Sequence, residues 1–557
     1  MPTESSYPLQ DIPDIDLWDF LFERKDRKFP DDKVIYLDPY TKRSYTYAQT
    51  RKTALDFGKG LKSQWDWQKG DVLAVFSPNC IDTPAITWGT LWTGGIISSA
   101  NPSYTVDELA FQLGDCQAKA LVTQKPLLKL AVEAARRVGL SPDRIILIGD
   151  ERDEQGKFKH FSSILNISGV ARWRKPRIDP AKDLAFLVYS SGTTGHPKGV
   201  MLSHRNIVSN TMMITLGEWR HLSWDSCPDG KGDRVMAFLP FYHIYGLTNL
   251  IHQSLYAGFT LVVMPKFNIE DFCSIVQEHR ITFIYAVPPV ILLLGKHPIV
   301  KKYDFRSVRM INSGAAPLSK ELVEAAYKNV RVPIKQGYGL TETSPTTHTQ
   351  PWEEWYATVG SVGKLLPNQV AKYMAPDGQT EVPIGETGEL WIKGPNVCIG
   401  YHKNPEATKQ ALTPDGYFKT GDIGYQDAQG NFYITDRVKE LIKYKGFQVA
   451  PAELEGLLSS HPKVADVAVV GVHIPHEATE VPRAYVVPAT GVNAGKETED
   501  EIVAWLSERV AHYKRLRGGI RFIDAVPKTL SGKILRKVLK EKAAQEEAGN
   551  APVKAKL

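Results

Sequence analysis

Short, unbroken apolar runs punctuate the first half of this chain: Val72-Leu73-Ala74-Val75-Phe76, Ala120-Leu121-Val122, Ile145-Ile146-Leu147-Ile148, Leu184-Ala185-Phe186-Leu187-Val188-Tyr189 and Leu261-Val262-Val263-Met264. Each has strand length and β-rich composition without polar alternation, which predicts strands covered on both faces. Helical patterns lie between them, as over 127–139, where Gly139 supplies the stop. Strand–helix alternation predicts parallel sheets with helices on both sides. Two charge-free stretches, 83–106 and 246–265, are broken by Gly, Ser, Thr, Asn or Gln. A membrane span needs about 20 predominantly apolar residues, so both read as core helix–strand units.

The pattern changes twice. Over 347–435 Gly and Pro rise, and Gly388-Glu389-Leu390-Trp391-Ile392-Lys393-Gly394 reads as a strand between turns, which predicts a smaller β-rich subdomain. Beyond Asp436-Arg437 comes a compact α+β pattern: helix 451–460, strands 464–472 and 483–487, helix 498–512 and strand 520–523. The expected architecture is therefore α/β: a large N-terminal domain (1–435) of parallel-sheet subdomains plus the β-rich one, then a small α+β C-terminal domain (436–540). The tail 541–557, with Glu546, Glu547, Gly549 and Pro552, is expected to be flexible.

Composition changes this picture little. At 557 residues the chain is too long for one ordinary domain. The net charge of +6 is compatible with an anionic ligand, but no basic–aromatic interleaving argues for nucleic acid. Cys80, Cys116, Cys227, Cys273 and Cys398 are scattered, with no Cys-x-x-Cys and no His at zinc spacing, so they read as reduced thiols. The segment 1–16 carries Asp11, Asp14 and Asp16 and does not read as a signal peptide.

The chemistry concentrates in five places. The first is Ser190-Ser191-Gly192-Thr193-Thr194-Gly195-His196-Pro197-Lys198-Gly199-Val200, which follows a strand. Glycines let backbone N–H groups turn toward an anion, hydroxyls add donors and Lys198 adds a point charge, a composition that suits polyphosphate. It is not the Walker pattern, since no Ser or Thr follows Lys198. The second, Phe238 to Leu247, joins a strand to an apolar helix and carries His243, which by itself also fits a satisfied core histidine. In the third, Ser313-Gly314-Ala315-Ala316-Pro317 and Gln336-Gly337-Tyr338-Gly339-Leu340-Thr341-Glu342 combine small residues with an aromatic ring, a hydroxyl and a carboxylate. A planar base can slide along such backbone and stack on Tyr338. The fourth, Tyr417 to Asp422 with Thr435-Asp436-Arg437, offers Asp422 and Arg437, although Asp after Thr-Gly is also a common turn residue. The fifth comprises Lys439 to Gly446 and Pro527 to Arg536, both basic, which alone also suit solvated surface.

Taken together and in order, these motifs resemble the acyl-adenylating enzymes, from about Pro30 to Arg536, and most closely the 4-coumarate–CoA ligase branch, through Gly-Tyr-Gly-Leu-Thr-Glu (337–342) and Lys-Glu-Leu-Ile-Lys-Tyr-Lys-Gly-Phe-Gln-Val-Ala-Pro (439–451). The resemblance implies an ATP-dependent acid–CoA ligase with a mobile C-terminal domain. An enzyme of that kind is expected to use Mg²⁺ and to proceed through acyl-AMP to the thioester, releasing pyrophosphate and AMP.

The resemblance assigns ATP and AMP to Ser190, Ser191, Gly192, Thr193, Thr194, Gly195, Lys198, Ala315, Gln336, Gly337, Tyr338, Thr341, Asp422, Arg437 and Lys533. Thr341 faces the α-phosphate, Glu342 the metal, and Asp422 and Arg437 the ribose. Lys533, in a Pro-x-Thr-x-x-Gly-Lys match, is the adenylation lysine, and His243 borders the γ-phosphate and the acyl pocket. That pocket takes Tyr245, Asn249, Asn312, Ser313, Gly337, Pro345 and Thr346, with Lys443 and Gln448 near the adenylate. Lys439 is the hinge, while Lys266, Lys445 and Gly446 face CoA. Asn312 and Thr346 are more polar than the matching positions of plant coumarate ligases, so an aryl, arylpropenoic or medium-chain acid is expected without a single choice among them. Carrier-protein loading, a luciferase-type reaction and non-catalytic ATP binding are the alternatives. Ala555-Lys556-Leu557 resembles the tripeptide read by the peroxisomal import receptor, which makes that receptor an expected partner.

Overall fold

The computed structural model describes residues 2–165, 172–190, 197–225, 227, 229–445, 447–474, 479–529 and 532–549. The expected import tripeptide Ala555, Lys556 and Leu557, loop residues Ser191, Gly192, Thr193, Thr194 and Gly195, and Gly446 lie outside them.

The apolar runs become the middle of two large sheets. In one, Leu184–Ser190, Ile96–Ala100, Val72–Phe76, Ala118–Thr123, Ile145–Leu147 and Lys159–His160 lie parallel in that order, and Lys198–Ser203 and Gly400–Tyr401 continue it antiparallel. Leu73, Ala74 and Phe76 are fully buried, as an uninterrupted apolar strand between two helical layers must be. The second sheet runs Lys364–Leu365, Thr346–Thr349, Ile334–Gly339, Met310–Ser313, Phe283–Ala286, Arg234–Ala237, Thr260–Val263, Val34–Leu37 and Ser44–Thr46, with a parallel interior. Helices fill the space between the sheets. Tyr47–Trp65 and Thr83–Trp92 meet at two glycines, where a Cβ on Gly58 would stand 2.5 Å from the carbonyl oxygen of Gly89.

The β-rich region forms a third sheet, Thr3–Glu4, Val370–Met374, Gly388–Lys393, Phe418–Gln426 and Phe432–Arg437. Its first strand comes from the amino terminus, which no local pattern marks. After Arg437 a second core forms around Val464–Ile474, Thr479–Pro488 and Ile520–Phe522. Over 541–549 the expectation of a flexible tail is corrected, since Arg536–Gly549 is one helix, while 550–557 lie outside the described residues. Leu539 and Ala543, one turn apart, bury into that second core, and Arg483 pairs with Glu546 and Glu547. Composition marks this stretch as polar, yet two apolar residues at i and i+4 suffice to dock it. Among the described residues no helix is long and apolar enough to cross a membrane, and the five cysteines are unpaired.

Candidate active site

A cavity of about 600 Å³ opens where the three sheets and the C-terminal domain meet. Ser190 and Lys198 reach it from facing ends of two antiparallel strands, paired residue to residue. The chain between them, the expected phosphate loop, lies outside the described residues. Tyr189, just before the loop, donates to Asp115 at 2.5 Å, which ties the base of the loop to the end of the helix Val106–Asp115.

His243 caps the short helical turn that follows, its Nδ1 accepting from the Tyr245 N–H at 3.2 Å. An accepting Nδ1 leaves the proton on Nε2. Burial, reinforced by the Lys533 cation, pushes His243 down to about 4, so the ring is neutral at pH 7. Tyr245 donates to the Asn312 carbonyl at 3.2 Å and, with Asn249, Asn312, Gly337, Pro345 and Thr346, lines one end of the cavity. That end is polar. Thr346 donates to Asn249 Oδ1 at 3.3 Å, and Asn312 Oδ1 is buried with no partner among the described residues.

The strand Ile334–Gly339 carries Gly337 and Tyr338 into the cavity. Gly339 has no room for a side chain, since a Cβ would sit 2.2 Å from the Pro345 carbonyl oxygen. Ala315 also lines the cavity, with φ of +71°, in the left-handed region that costs a non-glycine residue energy. Tyr338 donates to Asp422 at 2.6 Å, and Arg437 Nε pairs with the other carboxylate oxygen at 2.9 Å. Asp422 and Arg437 are direct cross-strand neighbours, which places a carboxylate and a guanidinium side by side. The Asp422 charge raises Arg437 further, and burial followed by Asp422 holds the Tyr338 phenol well above its ordinary value. Thr341 and Glu342 follow, and Glu342 Oε1 accepts from Tyr401 at 2.9 Å.

Lys533 enters from the C-terminal domain. Its backbone N–H bonds the Thr529 hydroxyl at 3.1 Å, and the Lys528–Ile534 bridge closes the loop. Burial and nearby Arg437 lower its ammonium, while Glu440, Asp422 and Glu342 oppose that shift. Lys439 lines the cavity beside it.

Some expected residues stand elsewhere. Asp422, Ser313 and Gln336 are buried behind the cavity wall rather than lining it. Lys266, Lys443 and Lys445 are exposed and outside the cavity. Lys443 is the cross-strand neighbour of Gln448 in the ribbon Ile442–Tyr444/Phe447–Val449; the Gln448 side chain is outside the described set. Sequence reasoning missed Tyr401 and gave no site role to Thr420, within the fourth motif, or to Tyr189, just before the first; all three are on the cavity wall. Tyr401 sits on a two-residue strand whose partner, Val200, lies two hundred positions earlier, a pairing that no local signal announces.

Residues 22–402 match the family model described as "AMP-binding enzyme", and 453–533 match "AMP-binding enzyme C-terminal domain". A Dictyostelium discoideum protein named "Probable 4-coumarate--CoA ligase 1" is 42% identical over 92% of each chain. A Petroselinum crispum "4-coumarate--CoA ligase 2" is 37% identical, again over 92% of each. The ATP-bound crystal structure of MatB from Rhodopseudomonas palustris superposes with a TM-score of 0.81 at 28% identity, covering 95% of this chain and 98% of that one. An anthranilate CoA ligase, AuaEII, solved with anthranoyl-AMP, shares the fold with a TM-score of 0.85 at 24% identity, covering 97% and 99%. With both models matched and relatives this close along its length, the chain belongs to the AMP-binding enzyme family, among the relatives of the 4-coumarate–CoA ligases.

Proposed function

We propose that this protein is an acid–CoA ligase that works through an acyl-adenylate. One observation carries the reading: Lys533 of the C-terminal domain shares a cavity with Tyr338, Arg437, Glu342, His243 and the polar recess around Asn249, Asn312 and Thr346. AMP is placed with its base against Tyr338 and its ribose toward Arg437, which Asp422 holds from behind the wall. The phosphates run toward Thr341, Ser190 and Lys198, where hydroxyls and an ammonium offer donors.

The carboxylate, held among Tyr245, Asn249, Asn312 and Thr346, attacks the α-phosphorus, and the bond to pyrophosphate breaks. Charge builds on the α-phosphate oxygens and on the former carboxylate, and the Lys533 ammonium answers both. Neutral His243, with its Nε2 proton, donates without adding a second cation beside Lys533. Glu342 presents a carboxylate with one oxygen already engaged by Tyr401. Such a donor suits Mg²⁺, which keeps waters and phosphate oxygens as its other ligands. When bound there, the ion would neutralise phosphate charge.

For the second step the C-terminal domain turns about Lys439, withdrawing Lys533 and bringing Lys445 and Gly446 toward the site, with Lys266 near the CoA phosphates. The thiol then attacks the anhydride carbonyl and AMP leaves. Domain turning about a few hinge residues is a common means of gating. The substrate class is an aryl, arylpropenoic or medium-chain acid.

The test is product analysis with purified protein over a panel of such acids. AMP and pyrophosphate are expected only with an acid, and a thioester only when CoA is added. ADP as the product, or adenylate that passes to a carrier protein and never to CoA, would defeat the proposal.

A further inference from the structure

The acid recess is walled by a segment that leaves the ordinary helical path. Leu247–His252 is a π-helix, set between the α-helical turns Ile244–Gly246 and Gln253–Ala257, and all six of its residues are buried. A π turn pairs each carbonyl with the N–H five residues on. It is rare and costly in isolation, and where it persists something holds it, often at a functional site. Here Leu247 and His252 stand at that five-residue spacing.

The holding group is the His252 side chain. Its Nδ1 lies 2.7 Å from the Leu247 carbonyl oxygen. A carbonyl only accepts, so Nδ1 carries the proton and donates. The ring is fully buried, with Trp88 edge-on at 4.6 Å and Phe186 edge-on at 5.5 Å. Trp88 belongs to the buried helix Thr83–Trp92 and Phe186 to the strand that leads into the phosphate loop. Nε2 has no partner among the described residues. One proton on the ring, and one acceptor for it, therefore give the imidazole a single orientation. Burial pushes His252 down to about 3, which keeps it neutral. Tyr36 adds a bond from the far side, donating to the Ile251 carbonyl at 3.1 Å.

Inside the braced turn sits Asn249, whose Oδ1 accepts from Thr346 and which lines the cavity. An α-helical turn advances 100° per residue, whereas a π turn is wider. Returning 247–252 to α-helical pairing would rotate Asn249 off Thr346.

We propose that His252, without touching any substrate, is a positioning residue that braces the π turn and so aims Asn249 into the acid recess. The inference rests on the acid recess proposed above. It predicts that selectivity among acids depends on a histidine outside every motif of the site.

The test compares wild type, His252→Leu and His252→Asn. The leucine variant keeps apolar bulk and removes the donor, while asparagine returns an N–H. Crystal structures of the variants are read first. In His252→Leu the segment is expected to regain α-helical pairing and Asn249 to leave Thr346. In kinetics, KM for the preferred acid rises about tenfold, the scale of one misplaced hydrogen bond. KM for ATP stays within about twofold, the ranking of acids changes, and His252→Asn restores wild-type behaviour. A π turn retained in His252→Leu, with Asn249 still on Thr346, overturns the inference. Equal rises in KM for acid and ATP overturn it too, since they mark a merely structural role. If wild type adenylates no acid, the ligase reading falls, and the variant structures still decide whether His252 braces the turn.

Discussion

Lys533 is the residue whose position most constrains the chemistry. Its ammonium is largely withdrawn from water, with Arg437 opposing its charge and three carboxylates supporting it. Lining the cavity, this cation can answer charge as it develops on the phosphate. Lys533→Ala is expected to slow acyl-AMP formation by about 10²–10³, while CoA capture of supplied acyl-AMP stays near wild type because the second step uses another domain arrangement. Rapid-quench measurement of both half-reactions checks this, and an equal loss in both would place one static site behind the whole reaction. This residue was legible in sequence because Pro-x-Thr-x-x-Gly-Lys is a local motif. Tyr401 was not, because its partner Glu342 is reached only through strand pairing.

Among the elements, the strand Ile334–Gly339 does two jobs. One end delivers Gly337 and Tyr338 to the cavity. The other end carries Lys335, fully buried and paired with Glu218 at 2.5 Å, with further bonds to Thr349 and the Gln350 carbonyl. Trp352 donates to the second oxygen of Glu218. Every charge and donor in this knot is answered, which is the condition for tolerating it in a core. Removing one partner leaves the other charge buried and alone. Lys335→Met is expected to cost about 3–5 kcal/mol of stability in urea unfolding, and Glu218→Gln in the same chain to recover much of it. A loss below about 1 kcal/mol would mean that water reaches the site and the pair is not load-sharing. Nothing local in sequence marks Lys335 as buried, because lysines almost never are.

At the scale of the whole molecule, the C-terminal domain is seated along the helix Pro288–Lys296. At one end Gly532, with φ of +82°, lies so close that a Cβ would meet Pro289 at 2.9 Å, and at the other Lys296 donates to the Val464 carbonyl at 3.0 Å. The junction between domains holds Asp436, buried, accepting from the N–H groups of Arg437 and Ala452. Burial raises its carboxyl to about 7, against those bonds and the Arg536 cation, with Glu440 adding to the rise. The sign follows from linkage. Below pH 3.8 the group is protonated folded or unfolded and costs nothing. As pH climbs toward 7 the unfolded chain ionises while the folded junction resists, so the junction loses stability over that window and no more above it. Asp436→Asn should therefore gain thermal stability relative to wild type between pH 5 and 7, with the gap level from 7 to 8.5. Melting curves across that range decide the matter, and a gap that shrinks as pH rises would contradict the burial argument.

What the sequence by itself determined is whatever depends on neighbours in the chain. Unbroken apolar runs such as 72–76 and 184–189 read as strands in covered sheets because they are too short for a buried helix and rich in β-forming residues. The expected loop chemistry at 190–200 and 337–342 rests on residue types a few positions apart, and the family on their order. The tertiary structure alone decided what depends on distance. It paired Asp422 with Arg437 across a hairpin, sent Asp422 and Ser313 behind the wall, and left Lys443 in solvent while Lys533 occupied the cavity. It also turned a polar tail into a docked helix through Leu539 and Ala543. The π turn at Leu247–His252 belongs to the same class: its cost is local, and the packing of Trp88, Phe186 and Tyr36 that sustains it comes from segments far away in the chain.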